Sequence, residues 1–131
     1  MSTPFGPQLV GELEKTLNAL LRRFLEGTGL SEPEWVTMRV AQTLEIGDDL
    51  ARAVEERAHF TDAESLVAGL TARNLLVNGS PTAAGLGMTA QVQARIASEA
   101  APIWHGHAAE DVATTTRILN EVLTRARLLL A

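Results

Sequence analysis

The chain contains no cysteine and no tyrosine, and only five of its 131 residues are aromatic. The absence of cysteine excludes a disulfide framework and a thiolate zinc site. No apolar run approaches the roughly 20 residues that a membrane span requires. The opening residues, MSTPFGPQLVGE, lack the basic and apolar regions of a signal peptide. We therefore expect a cytoplasmic protein that has no membrane partner.

The motifs of common catalytic sites are also missing. The sequence has no G-x-x-x-x-G-K-S/T phosphate-binding loop and no serine in the setting of a nucleophile elbow. Its acidic pairs, Asp48–Asp49 and Glu55–Glu56, fit solvated helix surfaces better than an acid–base dyad. We expect the protein not to be an enzyme and to use no cofactor.

Positive charge is scarce. Lys15 is the single lysine, and the formal net charge is −5. No charged side chain lies between Asn74 and Ala94. An acidic protein exerts no long-range attraction on a polyanion, which argues mildly against a nucleic-acid partner. The length suits one domain with a real core, over residues 1–131.

Apolar side chains recur along the sequence at three- and four-residue spacings, and this pattern predicts a mainly helical chain. The first helix begins after Pro7 and ends where Gly27 and Gly29 offer a left-handed conformation. The first and last helices, over 8–28 and 108–131, carry apolar stripes that suit a twofold dimer interface, or that pack on each other within one chain. The predicted interface residues are Val10, Leu13, Leu17, Val112, Leu119, Val122 and Leu129.

Two capping boxes mark helix starts in the middle of the chain. Ser31 and Glu34 open a second helix that runs to about Ile46, and Thr61 and Glu64 open a fourth. The short third helix, DDLARAVEERA, is joined to the fourth by a tight turn. Two short helices that each bury one stripe across such a turn indicate a helix-turn-helix.

The next stretch predicts a β-hairpin. The segments NLLV and GLGM have the character of short strands on either side of a turn-rich tip, NGSPTAAG. Thr89 then caps a fifth helix, which Pro102 and the glycine of WHGH interrupt. His105 and His107 could form a metal site with a nearby glutamate, but their spacing fits a helix break with exposed histidines better. We predict no metal site.

Three stretches give the chain a resemblance to the MarR (multiple antibiotic resistance regulator) family of winged-helix transcription factors. SEPEWVTMRVA resembles the family's capped second helix, and TDAESLVAGLTARNLLV resembles the recognition helix that runs into the first wing strand. LGMTAQVQARI resembles the second wing strand and the Leu-Thr step that opens the fifth helix. The signal lies in the order and spacing of these stretches over nearly the whole chain.

The resemblance implies a mainly α fold with a small β-hairpin wing. A winged helix-turn-helix lobe, over 47–90, would be flanked by N- and C-terminal dimerisation helices. It also implies a homodimer that binds double-stranded DNA, and a cleft between the lobe and the dimerisation helices that takes small aromatic ligands. The residues that match the position of this cleft are Trp35, Met38, Phe24, Arg39 and Trp104. Large aromatic residues in a small helical domain are usually core, which is the alternative.

The wing departs from the family's pattern. The family's wing carries an Asp-Arg pair whose arginine enters the minor groove, and nothing between Asn78 and Gly87 can take that part. The glycine that follows the family's Leu-Thr step is replaced here by Val92. Minor-groove contact is therefore not expected.

The charge of the lobe also opposes DNA binding. Residues 47–90 contain three arginines and six carboxylates, a net charge of −3. Asp62 and Glu64 occupy the first turn of the recognition helix, the turn that reads bases in such folds. They also suit the dipole at a helix N-terminus, which is a purely structural explanation. The residues that remain for DNA are Thr61, Ser65, Arg73, Arg52 and Arg57.

The leading hypothesis is a MarR-type transcriptional regulator, a homodimeric repressor that responds to a ligand. The alternative is a MarR-like protein that does not bind DNA alone and serves as a ligand-binding or protein-interaction module, which the uncharged wing favours. A third possibility is a heterodimer in which a basic partner supplies the DNA contacts.

Overall fold

The computed structural model describes residues 2–131, which form six helices and one two-stranded hairpin. The chain divides into two compact units, Met1–Ser98 and Glu99–Ala131. A mainly helical fold with a small antiparallel hairpin is confirmed. No helix in the described part of the chain has both the length and the apolarity to cross a membrane. The elements are α1 (Pro7–Leu25), α2 (Glu32–Ala41), α3 (Leu50–Ala58), α4 (Ala63–Ala72), β1 (Leu76–Val77), β2 (Ser80–Pro81), α5 (Ala83–Trp104) and α6 (Ala109–Leu130).

Helix α1 begins at Pro7, within one residue of the predicted start, and ends at Leu25, before the predicted 28. Gly27 and Gly29 after it have φ values of 79° and 80°. Only its last two residues, Phe24 and Leu25, are buried. The rest of its apolar stripe, including Val10 and Leu13, is exposed or half-buried. The N-terminal part of α1 therefore presents apolar surface that the rest of the first unit leaves uncovered.

Helix α2 begins at the predicted capping box. The Glu34 backbone N–H donates to the Ser31 hydroxyl oxygen at 3.3 Å, and the Ser31 backbone N–H donates to the Glu34 carboxylate at 2.9 Å. The predicted end near Ile46 is wrong, because the helix stops at Ala41 and Ile46 is 99% exposed. The backbone N–H and the hydroxyl of Thr43 both donate to the carbonyl oxygen of Val40, which closes a tight final turn.

The helix-turn-helix is formed by α3 and α4. Asp49 caps α3, accepting a hydrogen bond from the Arg52 backbone N–H, and His59 ends it with a left-handed φ of 58°. The predicted capping box of Thr61 and Glu64 is wrong. The residue before α4 is Asp62, and no side chain caps this helix. With φ −112° and ψ 28°, Asp62 lacks the extended backbone that lets a capping side chain reach the first turn.

The wing is shorter than predicted because its turn closes after two residues. Strands β1 and β2 pair antiparallel, with Val77 opposite Ser80. Between them Asn78 and Gly79 have φ values of 51° and 77°. A two-residue turn with positive φ at both residues has the twist that joins two antiparallel strands, and the sequence Asn-Gly favours this turn. The GLGM segment is therefore not the second strand but part of α5.

Thr82, not Thr89, precedes α5. Its hydroxyl accepts a hydrogen bond from the Gly85 backbone N–H at 3.0 Å and donates to the carbonyl oxygen of Asn74 at 2.7 Å. Thr89 is fully buried inside the helix, where its hydroxyl donates to the Gly85 carbonyl oxygen at 3.0 Å. A glycine, Gly85, stands three residues after the threonine that precedes this helix.

The core of the first unit joins the end of α1 with α2, α3, α4, β1 and the first half of α5. Its largest fully buried apolar side chains are Met38, Val54, Leu70 and Leu76. Helix α5 approaches this core closely at Gly85. A Cβ atom added there would lie 2.3 Å from the carbonyl oxygen of Leu75 and 2.8 Å from the Met38 Cε. Glycine is required at this position because the backbone at Leu75, just before β1, fills the space that a side chain would occupy.

The second unit contains the end of α5 and all of α6. The two helices are separated at His105–His107, where Gly106 has a φ of 96° and both histidines are exposed. The predicted helix break is thus confirmed, although Pro102 lies inside α5 and does not end it. Helix α6 runs for 22 residues without one buried side chain. Its apolar side chains lie on the surface of the chain.

Candidate functional site

Helix α4 presents a surface of small side chains. Its exposed residues include Ser65, Ala68, Gly69 and Ala72, while Ala63 and Leu70 face the core. Thr61 and Ser65, both predicted DNA contacts, are exposed near its N-terminal end. A helix face without long side chains can approach another surface closely. Glu64 in the first turn makes the same end acidic.

The three arginines of residues 47–90 each bind a neighbour within the protein. Arg52 pairs with Glu56 at 3.1 Å, and its side chain is 76% exposed. Arg57 donates to the Thr43 hydroxyl oxygen at 2.7 Å. Arg73 pairs with Glu34 at 2.9 Å, with side-chain exposures of 38% and 23%. The pair at Arg52 is a surface pair that costs little to break, whereas the pair at Arg73 is partly buried.

The pKa of the Glu34 carboxyl lies below its usual value. Partial burial opposes its charged form and by itself would raise the pKa. Hydrogen bonds from the backbone and side chain of Ser31, with the positive charge and hydrogen bond of Arg73, outweigh this effect and lower the pKa below the usual 4.5. Glu34 therefore stays ionised near neutral pH and keeps its pair with Arg73.

The tip of the hairpin has no charged side chain. It consists of Asn78 and Gly79, and the neighbouring Val77 is about half exposed. Its base is fixed, because the Thr82 backbone N–H donates to the carbonyl oxygen of Leu75 at 3.1 Å. The wing is a short closed hairpin without a cation at its end.

A solved structure matches this arrangement along nearly the whole chain: an X-ray crystal structure of a transcriptional regulator (MarR family) from Rhodococcus sp. RHA1. The match covers 93% of this chain and 98% of that chain, with a TM-score of 0.72 and 16% sequence identity. The chain has the MarR fold. No protein-family model matches the sequence, and no curated protein matches it at a significant level. In this fold α3 and α4 form the helix-turn-helix and the hairpin is the wing.

The five residues predicted to line the ligand cleft of the MarR fold differ in burial. Trp35 and Met38 belong to the core of the first unit, and Phe24 is also buried. Arg39 is on the surface, with its guanidinium carbon 5.9 Å from the centre of the Trp35 ring. Trp104 lies in the second unit and is 59% exposed. A ligand role for these five residues stays a prediction.

A cleft of about 620 Å³ does exist in the first unit, between the turn that follows α1 and one face of α5. Glu26 and Thr28 line it on one side, and Met88, Gln91 and Arg95 line it on the other. Arg95 also donates to the carbonyl oxygen of Phe24 at 3.0 Å, at the end of α1. The cleft combines a cation, a carboxylate and an amide with apolar surface, as small-molecule sites do.

Sequence reasoning missed this cleft because it started the fifth helix too late. With the helix starting at Thr89, Met88 belonged to a strand and shared no face with Gln91 and Arg95. The signal that would have found it is the spacing of Thr82 and Gly85, which suits a cap followed by the N–H that donates to it. From Ala83 onward, positions 84, 88, 91 and 95 fall on one helical face.

Proposed function

We propose that the protein is a homodimeric transcriptional regulator that binds double-stranded DNA through α4 and is released from DNA by a small ligand. The observation that carries the proposal is the likeness to a MarR-family regulator over 93% of the chain. The surface of α4 supports it, since small exposed side chains let a helix enter the major groove closely. Thr61 and Ser65 would be the neutral contacts at its N-terminal end.

Few phosphate contacts are expected. Arg52 is the lobe arginine most easily turned to DNA, because its pair with Glu56 is exposed and weak. Arg57 would have to leave the Thr43 hydroxyl. Each phosphate contact adds about one to the slope of binding against salt on logarithmic scales. A shallow salt dependence should therefore accompany any specific binding by this lobe.

The DNA proposal is tested by fluorescence anisotropy of labelled DNA from the gene's upstream region, at low and moderate salt. We expect specific binding that survives competitor DNA. A Ser65→Glu variant should bind at least about tenfold more weakly, because a carboxylate would face the phosphates from α4. Ser98→Glu, at another exposed serine far along α5, is the control and should bind like the wild type. Equal binding by both variants would contradict a role for α4.

Homodimerisation would cover the apolar stripes of α1 and α6. Helix α6 has no buried residue, and Val112, Leu119 and Val122 are about half exposed. Most of the stability of helices in proteins comes from packing of an apolar face, so we expect α6 to need an apolar contact. A second copy of the chain would supply the same stripes and close a twofold interface.

Leu119→Arg should weaken the dimer by about tenfold or more, because two unpaired guanidinium groups would enter an apolar interface. Sedimentation equilibrium at a series of concentrations measures the dissociation constant. Thr124→Arg is the matched control. It introduces the same charge, but Thr124 lies on the face of α6 opposite to the apolar stripe. A dimer that tolerates Leu119→Arg as well as Thr124→Arg would place the interface elsewhere.

A second candidate function is a ligand-binding module that does not bind DNA by itself. The internal pairing of Arg52, Arg57 and Arg73 favours it, together with the uncharged wing and the cleft beside Arg95. A folded dimer that shows no DNA binding even at low salt would select this candidate. Titration with a panel of aromatic acids, followed by tryptophan fluorescence, would then be the next measurement.

A further inference from the structure

Arg73 lies at the junction of the recognition helix and the wing. It is the C-terminal cap of α4, and Asn74 after it turns the chain with a left-handed φ of 60°. Its Nη1 donates to Glu34 Oε2 at 2.9 Å. Its Nη2 faces the turn between α1 and α2, where a Cβ added to Gly29 would lie 3.4 Å away. The guanidinium thus reaches from the end of α4 to two segments that are distant in sequence.

Glu34 uses its two carboxylate oxygens for two different tasks. Oε1 accepts the backbone N–H of Ser31 at 2.9 Å and so completes the cap of α2. Oε2 accepts the hydrogen bond from Arg73, 39 residues further along the chain. One side chain therefore connects the N-terminal end of α2 to the C-terminal end of α4.

We propose that Arg73 is a positioning residue, which holds the end of α4 and the start of the wing against the capped N-terminus of α2, and not a phosphate contact. The consequence for DNA rests on the proposed DNA-binding function, but the structural coupling does not. Arg73 and Glu34 act as a latch between the recognition helix and the rest of the first unit. Because the pair of Arg73 and Glu34 fixes the C-terminal end of α4, it also fixes the direction in which the chain leaves α4 and enters β1.

The Arg73 side chain cannot bind Glu34 and a DNA phosphate in the same way at the same time. To reach DNA, Arg73 would have to leave Glu34, and the partly buried carboxylate would remain without its cation. In that case Glu34 competes with DNA for the guanidinium, and removing its charge should strengthen DNA binding. If Arg73 positions α4, removing the charge of Glu34 should weaken DNA binding. The two roles predict changes of opposite sign.

The matched pair of variants is Glu34→Gln and Glu32→Gln. Both remove one carboxylate from the first turn of α2, and Glu32 pairs with a different arginine, Arg22, at 3.2 Å. The comparison cancels the general effect of one negative charge on DNA. We expect Glu34→Gln to bind DNA about threefold or more weakly than Glu32→Gln, the size of effect that a partly exposed ion pair gives. Equal or tighter binding by Glu34→Gln overturns the proposal.

Arg73→Gln separates the two roles by salt dependence. A lost phosphate contact lowers the slope of binding against salt by about one, whereas a lost positioning contact lowers affinity at an unchanged slope. We expect an unchanged slope with weaker binding, and a slope reduced by about one would contradict the latch. If the glutamine variant does not fold, Arg73→Lys separates the two roles by affinity, because lysine keeps the charge that a phosphate contact needs but not the planar guanidinium that pairs with Glu34. Weaker binding by Arg73→Lys supports the positioning role, and unchanged binding contradicts it.

A measurement without DNA distinguishes failure of the latch from failure of the proposed function. In a double-mutant cycle of Glu34→Gln and Arg73→Gln, we expect a coupling of about threefold to fivefold in the unfolding equilibrium constant. Hydrogen exchange of residues 72–77 should be faster in both variants than in Glu32→Gln. If wild-type protein binds no DNA but this coupling and exchange are found, the proposed function fails and the latch stands. Additive effects with unchanged exchange at 72–77 overturn the latch.

Discussion

Gly85→Ala is expected to lower the free energy of unfolding by about 3 kcal/mol, the upper range for overpacking a well-packed core. The new Cβ would lie 2.3 Å from the carbonyl oxygen of Leu75 and 2.8 Å from the Met38 Cε. The methyl end of Met38 is flexible and can move. The Leu75 carbonyl cannot move freely, because it accepts the Thr82 backbone N–H at the base of the wing. Either α5 shifts away from the core or this hydrogen bond breaks.

Gly87→Ala is the matched control for this experiment. Gly87 lies in the same helix, two residues further on, and a Cβ added there meets nothing within 4 Å. Alanine should stabilise the helix there by about 0.5–1 kcal/mol, since glycine is unfavourable inside helices. Urea denaturation of both variants gives the two values. If Gly85→Ala were as harmless as Gly87→Ala, the close approach of α5 to Leu75 would be wrong.

Met38→Ala is expected to lower the free energy of unfolding by about 3 kcal/mol, within the usual range for truncating a fully buried large side chain. Met38 has no exposed surface and belongs to the core cluster that joins α2 to α4, β1 and α5. The family resemblance matched it to the position of a ligand cleft, with a place in the core as the alternative. A residue that lines an open cleft is partly solvated, and its truncation leaves no closed cavity.

Met88→Ala makes the same change as Met38→Ala, but at a residue that lines an open cleft. Met88 is partly buried, packs at the edge of the core cluster and lines the cleft beside Gln91. Its truncation should cost about 1 kcal/mol, because less apolar surface is returned to water. Thermal and urea denaturation of both variants measures the difference. Losses of equal size would mean that Met38 is solvated like Met88, as a cleft residue would be.

Local rules predicted the features that depend on a few neighbouring residues. The start of α1 at Pro7 and the box of Ser31 and Glu34 were found because a proline in the first turn and a three-residue capping spacing act within one helical turn. The glycines after α1 were found because their left-handed conformation needs no distant partner. The helix-turn-helix followed from the apolar stripes of α3 and α4.

The end of the wing was predicted too far along the chain because two threonines offered the same signal for the start of a helix. Thr82 and Thr89 are both followed by helical sequence, and the intervening segment suits a short strand as well as a helix. The choice depends on contacts with other elements: the Thr82 hydroxyl reaches the Asn74 carbonyl, and Gly85 packs against Leu75. The capping box at Thr61 failed for a similar reason, since the tight turn after His59 fixes the backbone of Asp62.

The sequence by itself determined the helical class, the order of the elements, the acidic charge of residues 47–90 and the absence of a cation in the wing. These follow from composition and from periodicity along one helix or one turn. Only the tertiary structure decided where the wing ends, which residues line the cleft, and that Arg73 binds Glu34. Each of these depends on which distant segments come within a few ångströms of one another, and the packing of the core sets those distances. Local spacing carries no information about them.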